Sequence, residues 1–245
     1  KNNWKNHKDL ATIILALFVF GITKNCLPPF HHWITRSTVA PTPVSALLHS
    51  VSAVKSGSLA MIKIVVYIFT MDFTRELTND FLHGGWIFYL CGLTAVYSAY
   101  RAYRTRKIKY RFAYSTISQL SYILSSIFIG TKIAMMGAVL HIISHSLCKI
   151  VLFFIAGIFS SIYDIHNTKE AGKLAPHLKF WVACLSFCGA SIIGIPYLPG
   201  SFGKELMIDA EILTRHYSSL IFLLCGSFIN ILYIGSLNRR QIYSR

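Results

Sequence analysis

Apolar residues in this chain gather into membrane-length runs separated by short polar or basic stretches. With an α-helical rise, about 20 such residues cross a bilayer core. Seven spans follow: A at about 10–34, B at about 43–70, C at about 84–103, D at about 111–130, E at about 134–163, F at about 179–198 and G at about 217–237. A short helix at about 203–214 follows span F. The predicted fold is an all-α, polytopic membrane helix bundle.

Two spans are discontinuous. In span A the run GITKNCLPPFHHW sets Lys24 just before Pro28 and Pro29. In span F the run GIPYLPGSFGKEL sets Pro196, Pro199 and Gly200 just before Lys204. Proline and glycine inside a membrane helix release backbone amides and carbonyls, and transporters place such breaks at ion sites. A helix end followed by a loop is the plainer alternative.

The polar residues inside the spans carry the candidate chemistry. Lys149 lies near the middle of span E, with His145 four residues before it and His141 four before that. On a helix each four-residue step turns by about 40°, so the three form one stripe about 12 Å long. A charge at bilayer depth costs roughly 2.5 kcal/mol or more, so such residues are functional candidates by default. Imidazole accepts a proton on one nitrogen and releases one from the other. A lysine in low dielectric can cycle between charged and neutral forms. The stripe therefore reads as a proton wire; satisfied interhelical hydrogen bonds are the bland alternative. Span B adds Lys55 near its middle and His49 nearer the inner end, six residues apart and so not on one face. Ser45, Ser52, Ser56 and Ser58 could hold water there or allow close helix packing. Lys63, nearer the outer end, snorkels.

Composition agrees: 54% of residues are hydrophobic and 13% charged, with mean hydropathy +0.52. That excludes an ordinary soluble domain. The net charge of +15 reflects topology rather than nucleic-acid binding, because basic residues gather in cytoplasmic loops. Arg101, Arg104, Arg106, Lys107, Lys109 and Arg111 make the C–D loop cytoplasmic. Alternation then puts the B–C loop, with Asp72, Glu76 and Asp80, outside, and the C-terminal Arg239, Arg240 and Arg245 inside. Lys1, Lys5 and Lys8 fall outside, which fits if spans precede them. The six cysteines show no CxxC pair and read as small core residues, so no disulfide or metal site is expected. No GxGxxG unit and no haem or iron–sulfur ligand set is present, so no cofactor is expected. Of the nine acids none lies deep in spans A to E; only Glu205 sits beside an intramembrane lysine, Lys204. Lys24, Lys55 and Lys149 are therefore neutral at rest or meet a carboxylate from elsewhere.

The runs APTPVSALLHSVSAVKSG, YSTISQLSYI, HIISHSLCKIVLFFIAG and IPYLPGSFGKEL, in that order, resemble the antiporter-like subunits shared by respiratory complex I (NADH dehydrogenase subunit 5 type) and the Mrp cation/proton antiporters (D/A-type subunits). The resemblance implies two inverted five-helix repeats, each with one discontinuous helix. Residues 1–70 would be the last two helices of the first repeat, 71–237 the second repeat and 238–245 a cytoplasmic tail. It implies that Lys24 is the lysine at the first break, His49 and Lys55 those of the linking helix, His141, His145 and Lys149 the central relay, and Lys204 with Glu205 the exit pair. Family members pair the lysine of the first break with a glutamate on an earlier helix. This sequence starts after that helix, so a partner chain is expected to supply it. Implied partners are the other membrane subunits of complex I or an Mrp antiporter, and the lipid bilayer, with no nucleic acid. The implied activity is proton or monovalent cation/proton translocation in a mitochondrial inner or bacterial plasma membrane. Any NADH:quinone reductase activity would belong to the assembly. A non-transporting fragment that completes or stabilises a membrane complex is the rival expectation.

Overall fold

The computed structural model describes residues 7–168 and 179–242; the candidate residues all fall within these, while Lys1, Lys5, Glu170 and Arg245 lie outside them. The described residues form an all-helical bundle. Span A is α1 (Lys8–Gly21), a 3₁₀ turn (Thr23–Asn25), the bend at Pro28-Pro29 and the short α2 (His32–Arg36). Span B is α3 (Thr42–Ser50) and α4 (Ala53–Lys63), continued by a π turn (Ile64–Phe69). Next come α5 (Met71–Asn79), α6 (Trp86–Arg104), α7 (Ile108–Ile129), α8 (Lys132–Ile162), α9 (Lys179–Ile193), α10 (Pro199–Leu213) and α11 (Tyr217–Ile242).

Of the predicted spans, four are long and apolar enough to cross a membrane: Thr42–Phe69, which is interrupted at Val51–Ser52, Ile108–Ile129, Lys132–Ile162 and Tyr217–Ser236. Spans A and F fall short because their breaks divide them, and α6 because Ser98, Arg101 and Arg104 dilute its apolar run. α7 is the central helix: 94% of its membrane window is buried. It pairs antiparallel with α8, with Ser126 Oγ donating to Ala134 O at the turn. Exposed apolar side chains follow the outer faces, as with Leu10, Ile13 and Leu17 on α1 and Met136, Ile143 and Leu147 on α8. α8 thus turns its His and Lys stripe inward and its apolar stripe outward, the reverse of a water-soluble helix.

The two ends of the bundle differ in charge. At one end α5 lies as an amphipathic helix, Phe73 and Leu77 buried, Asp72 and Glu76 exposed. The sequence pattern there reads as a loop, because its apolar positions are too few for a span. Lys8 Nζ meets Glu76 Oε1 at 2.8 Å, which fixes the start of α1 beside α5. The α7–α8 link joins them, with Gly130 (φ +70°) tight against Met71 O. At the other end lie the α6–α7 link and the end of α8, joined by Ile108 N to His166 O at 3.1 Å and Thr168 N to Arg106 O at 2.9 Å. Arg111, counted from sequence with this exposed basic loop, is instead buried. Its guanidinium donates to Tyr103 O at 3.1 Å, Thr105 O at 3.2 Å, Tyr233 O at 3.1 Å and Ser236 Oγ at 3.1 Å. It ties α6, α7 and α11 together at the basic end.

Candidate functional site

The histidine stripe of α8 faces α4 and α7. Lys55 on α4 reaches it directly: its Nζ lies 2.8 Å from His145 Nδ1. One turn earlier, His141 Nε2 lies 2.9 Å from Gln119 Oε1 on α7. The two imidazoles are 6.0 Å apart between ring centroids. His141 Nδ1 and His145 Nε2 have no hydrogen-bond partner among the described residues, and both rings are buried. Each ring therefore has one nitrogen engaged and one available, as a proton-passing imidazole needs.

One turn further along α8, Lys149 is wholly enclosed. Its Nζ donates to Phe112 O at 3.0 Å and Ser115 Oγ at 2.9 Å, over the Phe112 ring at 5.5 Å. Ser115 Oγ also meets the Tyr233 hydroxyl from α11. A hydroxyl can accept from an ammonium or donate to a neutral amine, so this pocket accommodates lysine in either state. Among the described residues none of Lys55, Lys149 and Lys204 forms an ion pair with a carboxylate, although all three are buried.

His49 lies apart from Lys55, on α3. It stacks on Phe153 with centroids 4.7 Å apart, and its Nε2 lies 3.3 Å from Ser37 Oγ. Lys55 and His49 are divided by a break that the sequence does not mark with Pro or Gly. Ser52 N reaches back five residues to Leu47 O at 3.0 Å, and α4 then starts anew at Ala53. Span B thereby presents Lys55 to His145 and His49 to Phe153, eight residues apart on α8.

The second break builds a lysine site. α9 ends at Ile193, Gly194 turns with φ +94°, and α10 begins at Pro199, whose missing N–H is harmless in a first helical turn. Pro196 lies in the connecting turn. Lys204 Nζ donates to the freed Ile193 carbonyl at 2.9 Å, a cation on a helix C-terminus, and to Ser227 Oγ on α11 at 3.4 Å. Gly200 N donates to Ser191 Oγ at 3.0 Å, and a Cβ on Gly200 would collide with the Ser191 carbonyl. Gly203 packs against the His141 backbone, and Gly137 against Gly203 O, so α8 and α10 cross in close contact. Replacing Gly200 with alanine is expected to lower assembled protein at least severalfold, since backbone must shift. Immunoblotting of membranes against a Phe202→Ala control, at an exposed position of the same helix, checks this.

The first break leaves its lysine differently placed. Lys24 sits in the 3₁₀ turn with an exposed side chain, and its backbone packs on Gly57 of α4. Glu205 is also exposed, lining a groove with Leu140, Ile143 and Phe202 rather than meeting Lys204. Adjacent helical residues point about 100° apart, so sequence adjacency does not make this pair a contact.

The chain has counterparts among known proteins. Residues 1–230 match the family described as NADH:quinone oxidoreductase/Mrp antiporter, transmembrane. The chain belongs to that family. It is 32% identical, over 86% of its length, to the probable K(+)/H(+) antiporter A/B subunit of Rhizobium meliloti, of which it covers 20%. It is 29% identical, over 94% of its length, to the putative antiporter subunit mnhA2 of Staphylococcus aureus, of which it covers 29%. Its fold is similar to a chain of respiratory complex I from Thermus thermophilus (TM-score 0.83, 18% identity, 96% of this chain and 49% of that one). It is similar also to a chain of the Mrp complex from Dietzia sp. DQ12-45-1b (TM-score 0.77, 24% identity, 98% of this chain and 26% of that one). Both solved structures are multi-subunit membrane complexes. The NADH:quinone oxidoreductase/Mrp antiporter family thus accounts for the bundle and its membrane setting, and this chain spans less than a third of each of those two curated relatives.

Within this antiporter-family chain, sequence reasoning missed polar groups on α7 and α11, among them Ser115 and Gln119, which meet Lys149 and His141. Ser115, Gln119 and Tyr122 lie on one face of α7, and Ser227, Asn230 and Tyr233 on one face of α11. Their three- and four-residue spacing was a usable signal. Glu211 was missed too: it is buried at the far end of α10, seven residues beyond Lys204.

Proposed function

We propose that this chain moves protons, coupled to a monovalent cation, through the membrane as part of a larger antiporter-like assembly. The observation that carries the reading is the buried line of Lys55, His145 and His141 beside Lys149, with its unengaged ring nitrogens and no carboxylate in ion-pair contact among the described residues. Lys149 is the central switch, held by Ser115 in either protonation state. His141 and His145 pass protons to and from it, water bridging the 6.0 Å between rings. Lys55 joins this line from the first half of the bundle, and His49 offers a further imidazole on the basic side of Lys149. Lys204 receives protons at the second break. The relatives named as antiporter subunits favour cation/proton exchange over a redox drive.

On this reading residues 1–70 end a first repeat and 71–237 belong to a second, each with one broken helix carrying a lysine; α11 runs past the boundary expected for the tail, to Ile242 on the basic, cytoplasmic side. Exposed Lys24 then takes a carboxylate partner from another membrane segment. The same exposure favours a second reading, a non-transporting element that completes a membrane complex. Purification from native membranes in mild detergent separates the two. The proposal expects co-purifying membrane subunits, one with an intramembrane glutamate that cross-links to a cysteine at position 24. Co-purifying membrane subunits none of which cross-links at position 24 would favour the second reading, and isolation of the chain alone would contradict both.

A further inference from the structure

The exit of the line, rather than its centre, holds the group that neither spacing nor resemblance identified. Lys204 and Glu211 are seven residues apart on α10, which brings them to one face with about 10.5 Å of rise between them. Both are buried, whereas Glu205 beside Lys204 is exposed. Glu211 Oε1 accepts from Ser219 Oγ of α11 at 2.7 Å, and Ser219 Oγ meets Ser125 Oγ of α7 at 2.7 Å. Glu211 Oε2 has no hydrogen-bond partner among the described residues. A buried carboxylate with one oxygen engaged by a hydroxyl and the other open is built to take up a proton.

Its surroundings point the same way. Tyr122 of α7 stands beside Lys204: its ring lies 5.9 Å from Lys204 Nζ, and its buried hydroxyl, without a hydrogen-bond partner among the described residues, presses on Gly226, one residue from the Ser227 that accepts from Lys204. Ser125, one turn along α7, continues the polar face to Ser219. On the far side, His216 N donates to Glu211 O at 3.0 Å, and His216 Nε2 has no partner among the described residues. The His216 ring packs on Phe88 at 4.5 Å, at the start of α6. This is the end of the bundle where α5 carries Arg75 and Glu76, opposite the end of the basic loops.

We infer that Glu211 is a proton carrier between Lys204 and the end of the bundle that carries α5. The inference rests on the translocation reading above. In the step, an ammonium on Lys204 gives its proton through Tyr122 and water to the Glu211 carboxylate, leaving a neutral amine and a carboxylic acid. The acid then releases the proton toward His216 and the surface at that end, restoring the carboxylate.

The test compares proton flux in membrane vesicles bearing the native assembly with Glu211→Gln, Glu211→Asp or Lys149→Ala. Glutamine keeps the acceptor for Ser219 and the volume, so a purely structural Glu211 predicts normal flux. The inference expects Glu211→Gln to slow transport roughly tenfold or more at unchanged assembly, and aspartate to restore a substantial part of it. Normal flux in Glu211→Gln with loss in Lys149→Ala would overturn the Glu211 inference alone. Normal flux in Lys149→Ala would overturn the relay reading and its outlet together. Should Glu211→Gln fail to assemble, Ser219→Ala decides. It is expected to slow transport severalfold; unchanged flux there would overturn the inference.

Discussion

Replacing Lys149 with alanine is expected to cut proton flux by about a hundredfold or more while the assembly remains intact. Flux is lost because no other group in the pocket can hold and release a proton at that point. The fold tolerates the change because each neighbour keeps a partner. Ser115 retains the Tyr233 hydroxyl, and the Phe112 carbonyl still accepts from Thr116 Oγ1 at 3.0 Å. Lys149→Arg sharpens the test. It preserves positive charge but guanidinium does not deprotonate in proteins, so it too should be inactive. Flux dyes in vesicles, normalised to assembled protein, read both variants. Activity in the arginine variant would mean that Lys149 serves as a fixed charge.

Loss of Arg111 acts on stability instead. Its guanidinium satisfies three carbonyls and one hydroxyl on α6, the α6–α7 link and α11 from a buried position. Hydrogen bonds involving a charged group contribute about 1.5–3 kcal/mol each, so Arg111→Ala should cost roughly 3 kcal/mol or more even after relaxation. Lysine carries the charge but not the fork that reaches α6 and α11 together, so Arg111→Lys should recover less than half. Thermal unfolding in detergent would show this as a lowered Tm and early release of the C-terminal end of α11. A lysine variant as stable as the native chain would contradict the anchoring role.

Much of this was legible because membrane helices exaggerate their signals. A lysine among twenty apolar residues is conspicuous, and the four-residue spacing of His141, His145 and Lys149 is enough to put them on one face. Proline and glycine announced the breaks beside Lys24 and Lys204. What stayed hidden depends on neighbours that only folding supplies. The break at Val51–Ser52 contains neither Pro nor Gly, yet it sends Lys55 and His49 to different places. α5 was too short and too polar to read as a span, although its Phe73 and Leu77 spacing is helical. Arg111 looked like one more loop cation because burial by α6 and α11 leaves no mark on its own segment. Glu205 drew notice through adjacency to Lys204, whereas helical geometry favours Glu211, two turns away on the same face.

The central claim is that protons pass along the buried line through Lys149. Its most direct test is proton flux through the native assembly reconstituted in liposomes, followed with a trapped pH-sensitive dye after an imposed Na⁺ or K⁺ gradient. The account predicts cation-dependent flux in the native assembly and its absence in Lys149→Ala at equal protein. Equal flux in the two, with assembly verified, would contradict it.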